Sequence, residues 1–257
     1  MAITESIFRE YDIRGEYPNQ INEDVVKKIG FAISHKCIDL GIDEICVGRD
    51  GRISGKLLLD ALIEGIIESG INVFNIDLAT SPLLYYAAKK NKNKSGVMIT
   101  GSHNPKNHNG IKLVINDNPV SGKEILSLIN KGKPSSNSLG NVKEINIKDS
   151  YIKEVVDSSK INNNIKVVID CGNGAAGFIA PELYKKLGCE VIELYSEVDG
   201  NFPNHHPDPG KIDNLKDLIN EVRKQKADLG LAFDGDGDRV GLVTDKGDIV
   251  FPDKIMM

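Results

Sequence analysis

No apolar run in this chain approaches the length of a membrane span, and the N-terminus lacks the apolar core of a signal peptide. The sequence therefore reads as soluble and cytoplasmic, with no membrane partner. Cysteine is scarce: Cys37, Cys46, Cys171 and Cys189 show neither CxxC nor zinc-finger spacing. They lie in or beside apolar runs, which predicts buried reduced thiols rather than a disulfide framework. Positive charge is not in excess either. The formal net charge of −5 argues against nucleic acid as the main partner. An anionic small substrate stays open, because a few Arg and Lys side chains in a cleft can hold one phosphate. What remains, 40% apolar and 27% charged over 257 residues, is ordinary globular composition with length enough for two compact domains.

Two stretches alternate strand and helix. Over residues 23–40, Val25, Val26, Ile29, Ile33 and Cys37 keep helical spacing. A short strand is predicted at 45–47, ended by Gly48. Ser54 is then expected to cap an amphipathic helix whose Leu58, Leu59, Leu62, Ile63, Ile66 and Ile67 share one face, closed by Gly70. Strands follow at 73–76, 97–100 and 111–115, and the polar stretch 130–141 reads as a loop near the end of the first domain. The second unit begins near Lys148 with a helix. A strand at 165–169, a helix ending at Gly188, a strand at 190–195 and a Pro-rich loop at 201–210 come next. A helix over 211–226 leads to strands at 229–233, 240–244 and 249–251. Both units read as α/β. Residues 252–257 look like the first turn of a further helix, as expected of a chain cut from something longer.

Two motifs far apart call for the same chemistry. Thr100-Gly101-Ser102-His103-Asn104-Pro105 offers a hydroxyl nucleophile in a tight turn. Asp234-Gly235-Asp236-Gly237-Asp238-Arg239 offers three carboxylates at alternate positions, with glycines that permit a tight backbone. A hydroxyl beside a hard-cation site suggests phosphoryl transfer, with Mg²⁺ neutralising the phosphate. The aspartates also begin like an EF-hand loop. That reading needs glycine where Arg239 stands and glutamate where Asp245 stands, and the flanking runs are strand-like. A solvated acidic turn would leave three carboxylates repelling one another.

Three further features carry rival readings. Gly172-Asn173-Gly174-Ala175-Ala176-Gly177 is a full GxGxxG after an apolar strand, with Glu193 where a ribose-binding acid is expected. It would make the chain a nucleotide-binding module, yet it leaves the aspartates and the serine turn unexplained. The alternative is that its glycines let strand and helix pack closely. His205 and His206 are adjacent and lack partner spacing, so a rigid loop among Pro203, Pro207 and Pro209 is the better reading than a metal site. In Gly48-Arg49-Asp50-Gly51-Arg52 the arginines either contact phosphate or form salt bridges within the domain, the latter preferred.

Taken together, these residues resemble an α-D-phosphohexomutase of the bacterial phosphomannomutase/phosphoglucomutase type. Residues 8–15, Phe8-Arg9-Glu10-Tyr11-Asp12-Ile13-Arg14-Gly15, are similar to the N-terminal signature of that branch and unlike the phosphoglucosamine mutase one. Thr100 to Pro105 resembles the phosphoserine loop and Asp234 to Arg239 the metal loop. Asn109-Gly110-Ile111-Lys112 and residues 170–174 and 199–210 also match. Thr80-Ser81-Pro82 departs slightly from the usual Pro-Thr-Pro turn. The resemblance implies two consecutive α/β domains with mixed sheets, residues 1–147 and 148–249. Residues 250–257 would be the truncated start of a third domain, and domains III and IV would be missing.

It also implies reversible transfer of phosphate between C1 and C6 of a hexose phosphate, through a phosphoserine and a glucose or mannose 1,6-bisphosphate. Ser102 would carry the phosphate, and Ser102, Asp234, Asp236 and Asp238 would hold Mg²⁺. Arg14, Lys112 and Arg239 would stabilise charge near the phosphate. His103, Lys112 and Tyr11 would serve proton transfer, and Tyr11, Arg14, Lys112 and Arg239 would contact substrate. The rival enzyme is a metal-dependent phosphatase or phosphotransferase using the same serine and aspartates.

Overall fold

The computed structural model describes residues 3–159, 161, 164–251 and 254. The expected helical turn at 252–257 therefore lies outside the described residues, apart from Lys254. The chain divides into two compact units, Met1–Ile147 and Lys148–Met257. Each is α/β with a mixed sheet.

The first unit contains β1 (Ile13–Glu16), α1 (Glu23–Asp39), β2 (Glu44–Arg49), α2 (Gly55–Glu68), β3 (Asn72–Leu78), α3 (Ser81–Lys90), β4 (Gly96–Ile99), β5 (His108–Ile115), β6 (Asn118–Pro119), α4 (Gly122–Ile129) and β7 (Val142–Glu144). The sheet order is β1-β5-β4-β2-β3-β7, with β6 against β5. Strands β4, β2, β3 and β7 run parallel, while β5 is antiparallel to β4 and β1 to β5. Helix α1 starts where the Asn22 side chain accepts the Val25 N–H at 3.1 Å. It buries Val25, Val26, Ile29, Ile33 and Cys37 in the same core as Leu58, Leu59, Leu62 and Ile66 of α2. These are the apolar positions that the helical spacing selects.

The second unit contains α5 (Lys148–Ser158), β8 (Lys166–Asp170), α6 (Ala180–Lys186), β9 (Glu190–Leu194), α7 (Lys216–Gln225), β10 (Leu229–Phe233), β11 (Val240–Thr244) and β12 (Ile249–Val250). Its sheet order is β12-β11-β10-β8-β9, with β10, β8 and β9 parallel and the other two antiparallel.

Three local expectations need correcting, and one helix was not anticipated. Strand β2 continues through Gly48 to Arg49, because both residues stay paired with β4. Ser54 precedes α2 but makes no capping bond. Its backbone is already helical rather than extended, and its hydroxyl accepts from Asn109 Nδ2 at 2.9 Å instead. The segment after Thr80 is a helix, α3: the Thr80 hydroxyl accepts the Leu83 N–H, and Pro82 fits a first turn. Over 211–226 the helix proper starts only at Lys216, after a 3₁₀ turn at Ile212–Leu215.

All four cysteines are free, and only Cys189 is not fully buried. Burial pushes the thiols of Cys37, Cys46 and Cys171 up to about 12. Among the described residues, no helix is long and apolar enough to cross a membrane.

Candidate functional site

The serine turn joins antiparallel β4 and β5. Ser102 is 2% exposed and has φ +50°, the left-handed region that a non-glycine residue occupies at a cost of about 1–3 kcal/mol. The surrounding hydrogen bonds enforce it. Gly101 N–H donates to Asp50 Oδ2 at 2.9 Å, Ser102 N–H to Thr100 Oγ1 at 2.8 Å, and Asn104 N–H to the Gly101 carbonyl at 3.0 Å. Ser102 Oγ lies 3.5 Å from His103 Nδ1.

Two arginines complete the turn. Arg14, on β1, is 4% exposed. Its Nη1 donates to the Thr100 carbonyl, and its Nε to Asp12 Oδ2 at 2.8 Å. Arg52, 1% exposed, turns its guanidinium into the loop. Its Nη2 donates to the carbonyls of Ser102 at 2.8 Å and Asn104 at 2.6 Å. Its Nη1 donates to those of Pro105 at 2.5 Å and His108 at 2.8 Å. The expected salt bridges are also present, Arg49 Nε to Asp77 at 2.8 Å and Arg52 Nε to Asp50 at 3.4 Å. Lys112 sits half-buried on β5 opposite Met98. Tyr11 is 89% exposed and, among the described residues, takes no part in the hydrogen bonds that build the turn.

The aspartate turn joins β10 to β11, whose last pair is Phe233 with Val240. Asp234 folds the turn onto itself, its Oδ1 accepting the N–H groups of Asp238 and Arg239 at 3.1 Å each. Gly237 has φ +70°, and its N–H reaches the Asp234 carbonyl at 3.0 Å. One carboxylate oxygen from each of Asp234, Asp236 and Asp238 falls within 4.8 Å of the others. Asp234 and Asp236 are fully buried, Asp238 is exposed, and Arg239 stands exposed beside it. Convergent oxygen donors with two buried charges fit a hard divalent cation, which would relieve their repulsion. The flanks are strands, so the EF-hand reading fails.

The glycine-rich segment has a different task from the one its pattern suggests. Ala175 N–H donates to the Gly235 carbonyl at 2.9 Å, and a Cβ on Gly174 would stand 3.0 Å from Gly235 Cα. The segment braces the aspartate turn. It runs into a 3₁₀ turn at Ala175–Phe178 and then the seven-residue α6, while Glu193 is paired with Lys185 at 2.6 Å. A Cβ on Gly177 would overlap the Ser196 carbonyl. Gly177→Ala is expected to destabilise the second unit by about 1–3 kcal/mol, read by denaturant unfolding, because backbone must move to admit it.

His205 is tied to fully buried Asp170, its Nε2 standing 2.9 Å from Oδ2, and its Nδ1 lies 3.1 Å from the His206 carbonyl. Both partners are acceptors, so the arrangement favours the doubly protonated ring. Desolvation pulls the His205 pKa down, but the hydrogen bond and charge of Asp170 outweigh it, with Asp217 adding to them, and the net direction is upward. A raised folded-state value means the pair stabilises fully below about pH 6.5, the ordinary histidine value. That contribution fades as pH rises through the folded value. The stability gap between the parent and His205→Asn, followed by thermal melts, should therefore be widest below about pH 6.5 and narrow as pH rises past the raised folded-state value.

With both turns described, comparison with known proteins is decisive. The sequence pattern of phosphoglucomutase/phosphomannomutase alpha/beta/alpha domain I matches residues 5–135, and that of domain II matches residues 149–247. The chain belongs to the phosphoglucomutase/phosphomannomutase family. Within this family it is 50% identical over 258 residues to a phosphomannomutase/phosphoglucomutase of Pseudomonas putida, covering 100% of this chain and 56% of that one. It is 45% identical over 260 residues to a phosphoglucomutase of Neisseria gonorrhoeae, again covering 100% and 56%. A crystal structure of a phosphoglucomutase/phosphomannomutase family protein from Burkholderia thailandensis superposes with a TM-score of 0.94 at 37% identity, over 98% of this chain and 57% of that one. The chain thus spans little more than half the length of these relatives.

The residues that sequence reasoning under-read are Asp50 and Arg52. A signal was available: they follow the carboxyl end of β2, beside β4 in the sheet, where open α/β sheets place ligands.

Proposed function

We propose that this chain carries phosphohexomutase chemistry, the reversible transfer of phosphate between C1 and C6 of a glucose or mannose phosphate through phosphorylated Ser102. The observation that supports it most is Ser102 itself, a buried hydroxyl held at positive φ by fixed peptide groups. Strain of this kind at a nucleophile is what pre-organisation looks like. The names of its relatives point to the same reaction.

In this reading the phosphoserine P–O bond breaks as a sugar hydroxyl attacks, giving the 1,6-bisphosphate, and the reverse step returns the other phosphate to Ser102 Oγ. The attacking hydroxyl must lose a proton. His103, 3.5 Å from Ser102 Oγ, and Lys112 are the groups assigned to that transfer. Lys112 and Arg239 are assigned to the charge on the phosphate. Arg14, which also bonds Asp12 and the Thr100 carbonyl, is assigned with them to the charge near the phosphate and to contact with substrate. Tyr11, being exposed, is assigned to contact with substrate and, beside His103 and Lys112, to proton transfer or its support. Asp234, Asp236 and Asp238 would hold Mg²⁺, which supplies Lewis-acid charge to the transferring group.

The 257-residue chain alone is expected to interconvert hexose phosphates slowly, since its relatives bring nearly as much chain again to position the sugar. The test follows glucose 1-phosphate and glucose 6-phosphate with Mg²⁺ and glucose 1,6-bisphosphate. Slow interconversion, absent in Ser102→Ala, is expected. Release of inorganic phosphate without interconversion would replace this reading with a metal-dependent phosphatase.

A further inference from the structure

We propose that Arg52 is the positioning residue of the serine turn, its guanidinium fixing the direction in which Ser102 Oγ faces a phosphoryl group. The proposal rests on the reading of Ser102 as phosphoryl carrier and adds the device that aims it.

Two peptide groups flank Ser102, and both are held. The one before it is pinned through the Ser102 N–H to Thr100 Oγ1 and through the Gly101 carbonyl to the Asn104 N–H. The one after it is pinned at the Ser102 carbonyl by Arg52 Nη2. With both planes fixed, φ and ψ of Ser102 cannot relax, and the Cα–Cβ bond has one direction. Releasing the second plane would let Ser102 leave the left-handed region for the broad basins an L-residue prefers, and Oγ would swing with it.

The arginine is built for this task rather than tolerated there. A buried guanidinium is costly unless its donors are satisfied, and the loop supplies carbonyls from Ser102, Asn104, Pro105 and His108. Asp50 answers the charge at 3.4 Å and in the same stroke accepts the Gly101 N–H. The chain also makes room: the place a Cβ would take on Gly101 is filled by Nε and Cζ of Arg52. The glycine next to the serine is therefore required by the arginine. A lysine, with a single ammonium on a flexible stem, cannot span four carbonyls set around a planar fork.

The experiment compares phosphoryl uptake from glucose 1,6-bisphosphate and Mg²⁺, by rapid-quench intact mass, in the 257-residue parent, Arg52→Lys and Arg52→Ala. The expected result for Arg52→Lys is a rate at saturating bisphosphate down by roughly 10²-fold, the penalty for misplacing a reacting atom by about 1 Å. Its half-saturating concentration should stay near that of the parent. In Arg52→Ala, added guanidinium at millimolar level should restore part of the rate, and methylammonium should not. Thermal melts separate this from loss of fold: assays run below each variant's transition. A variant that is less stable yet takes up phosphate at the parental rate overturns the proposal, as does equal rescue by both cations. If the parent itself takes up no phosphate, the carrier reading fails and this proposal falls with it.

Discussion

Ser102→Gly and Ser102→Ala are expected to lose phosphoryl uptake equally, by roughly 10⁴-fold or more, as removal of a nucleophile does. They should differ in stability, and in an unusual order. Glycine normally destabilises relative to alanine through its greater freedom in the unfolded chain. At φ +50° the order reverses, because alanine keeps the left-handed strain and glycine does not. Ser102→Gly should exceed Ser102→Ala by about 1–2 kcal/mol, the scale of that strain. For a unit of this size each kcal/mol moves the melting temperature by roughly 2–4 °C. Equal melting temperatures would mean that the turn relaxes at residue 102 and that Ser102 is not held as described.

Asp236→Asn is expected to change the sign of its effect with the cation. Asp234 and Asp236 are both buried, and their oxygens converge with that of Asp238. In chelator, neutralising one carboxylate removes repulsion, and the variant should melt above the parent. In millimolar Mg²⁺ the parent gains stability by mass action, about 2.7 kcal/mol when the ion is at 100 times its dissociation constant, while the variant gains little. The two melting temperatures should therefore cross as Mg²⁺ is added. A parent whose melting temperature ignores Mg²⁺, Mn²⁺ and Ca²⁺ would remove the aspartates from the role of cation site.

The aspartate turn was readable from sequence because its geometry is local. Six residues contain all three carboxylates, the glycine that takes positive φ and the backbone donors that fold the turn. Strand β10 leading into it was likewise marked by a short apolar run. The serine turn was only half legible. Ser102 and Gly101 stand out in the motif, but the groups that impose their conformation, Asp50 and Arg52, are about fifty residues earlier and meet them only through the pairing of β2 with β4. The same distance effect hid the role of Gly174 and Gly177, whose close neighbours are Gly235 and Ser196. Helix α3 escaped because Thr80-Ser81-Pro82 reads as a turn, although the same residues cap and open a helix. Ser54 illustrates the converse: a residue of capping type made no cap because Asn109 engages its hydroxyl. Short-range chemistry is written in spacing, whereas contacts across a sheet are not.

The measurement that bears most directly on the central claim is the intact mass of the 257-residue chain after incubation with Mg²⁺ and glucose 1,6-bisphosphate, followed by peptide mapping. The account predicts one added phosphoryl group, carried on the peptide containing Ser102 and absent from both Ser102→Ala and a chelator-treated sample. A phosphoryl group on any other residue, or one that persists in Ser102→Ala, would contradict it.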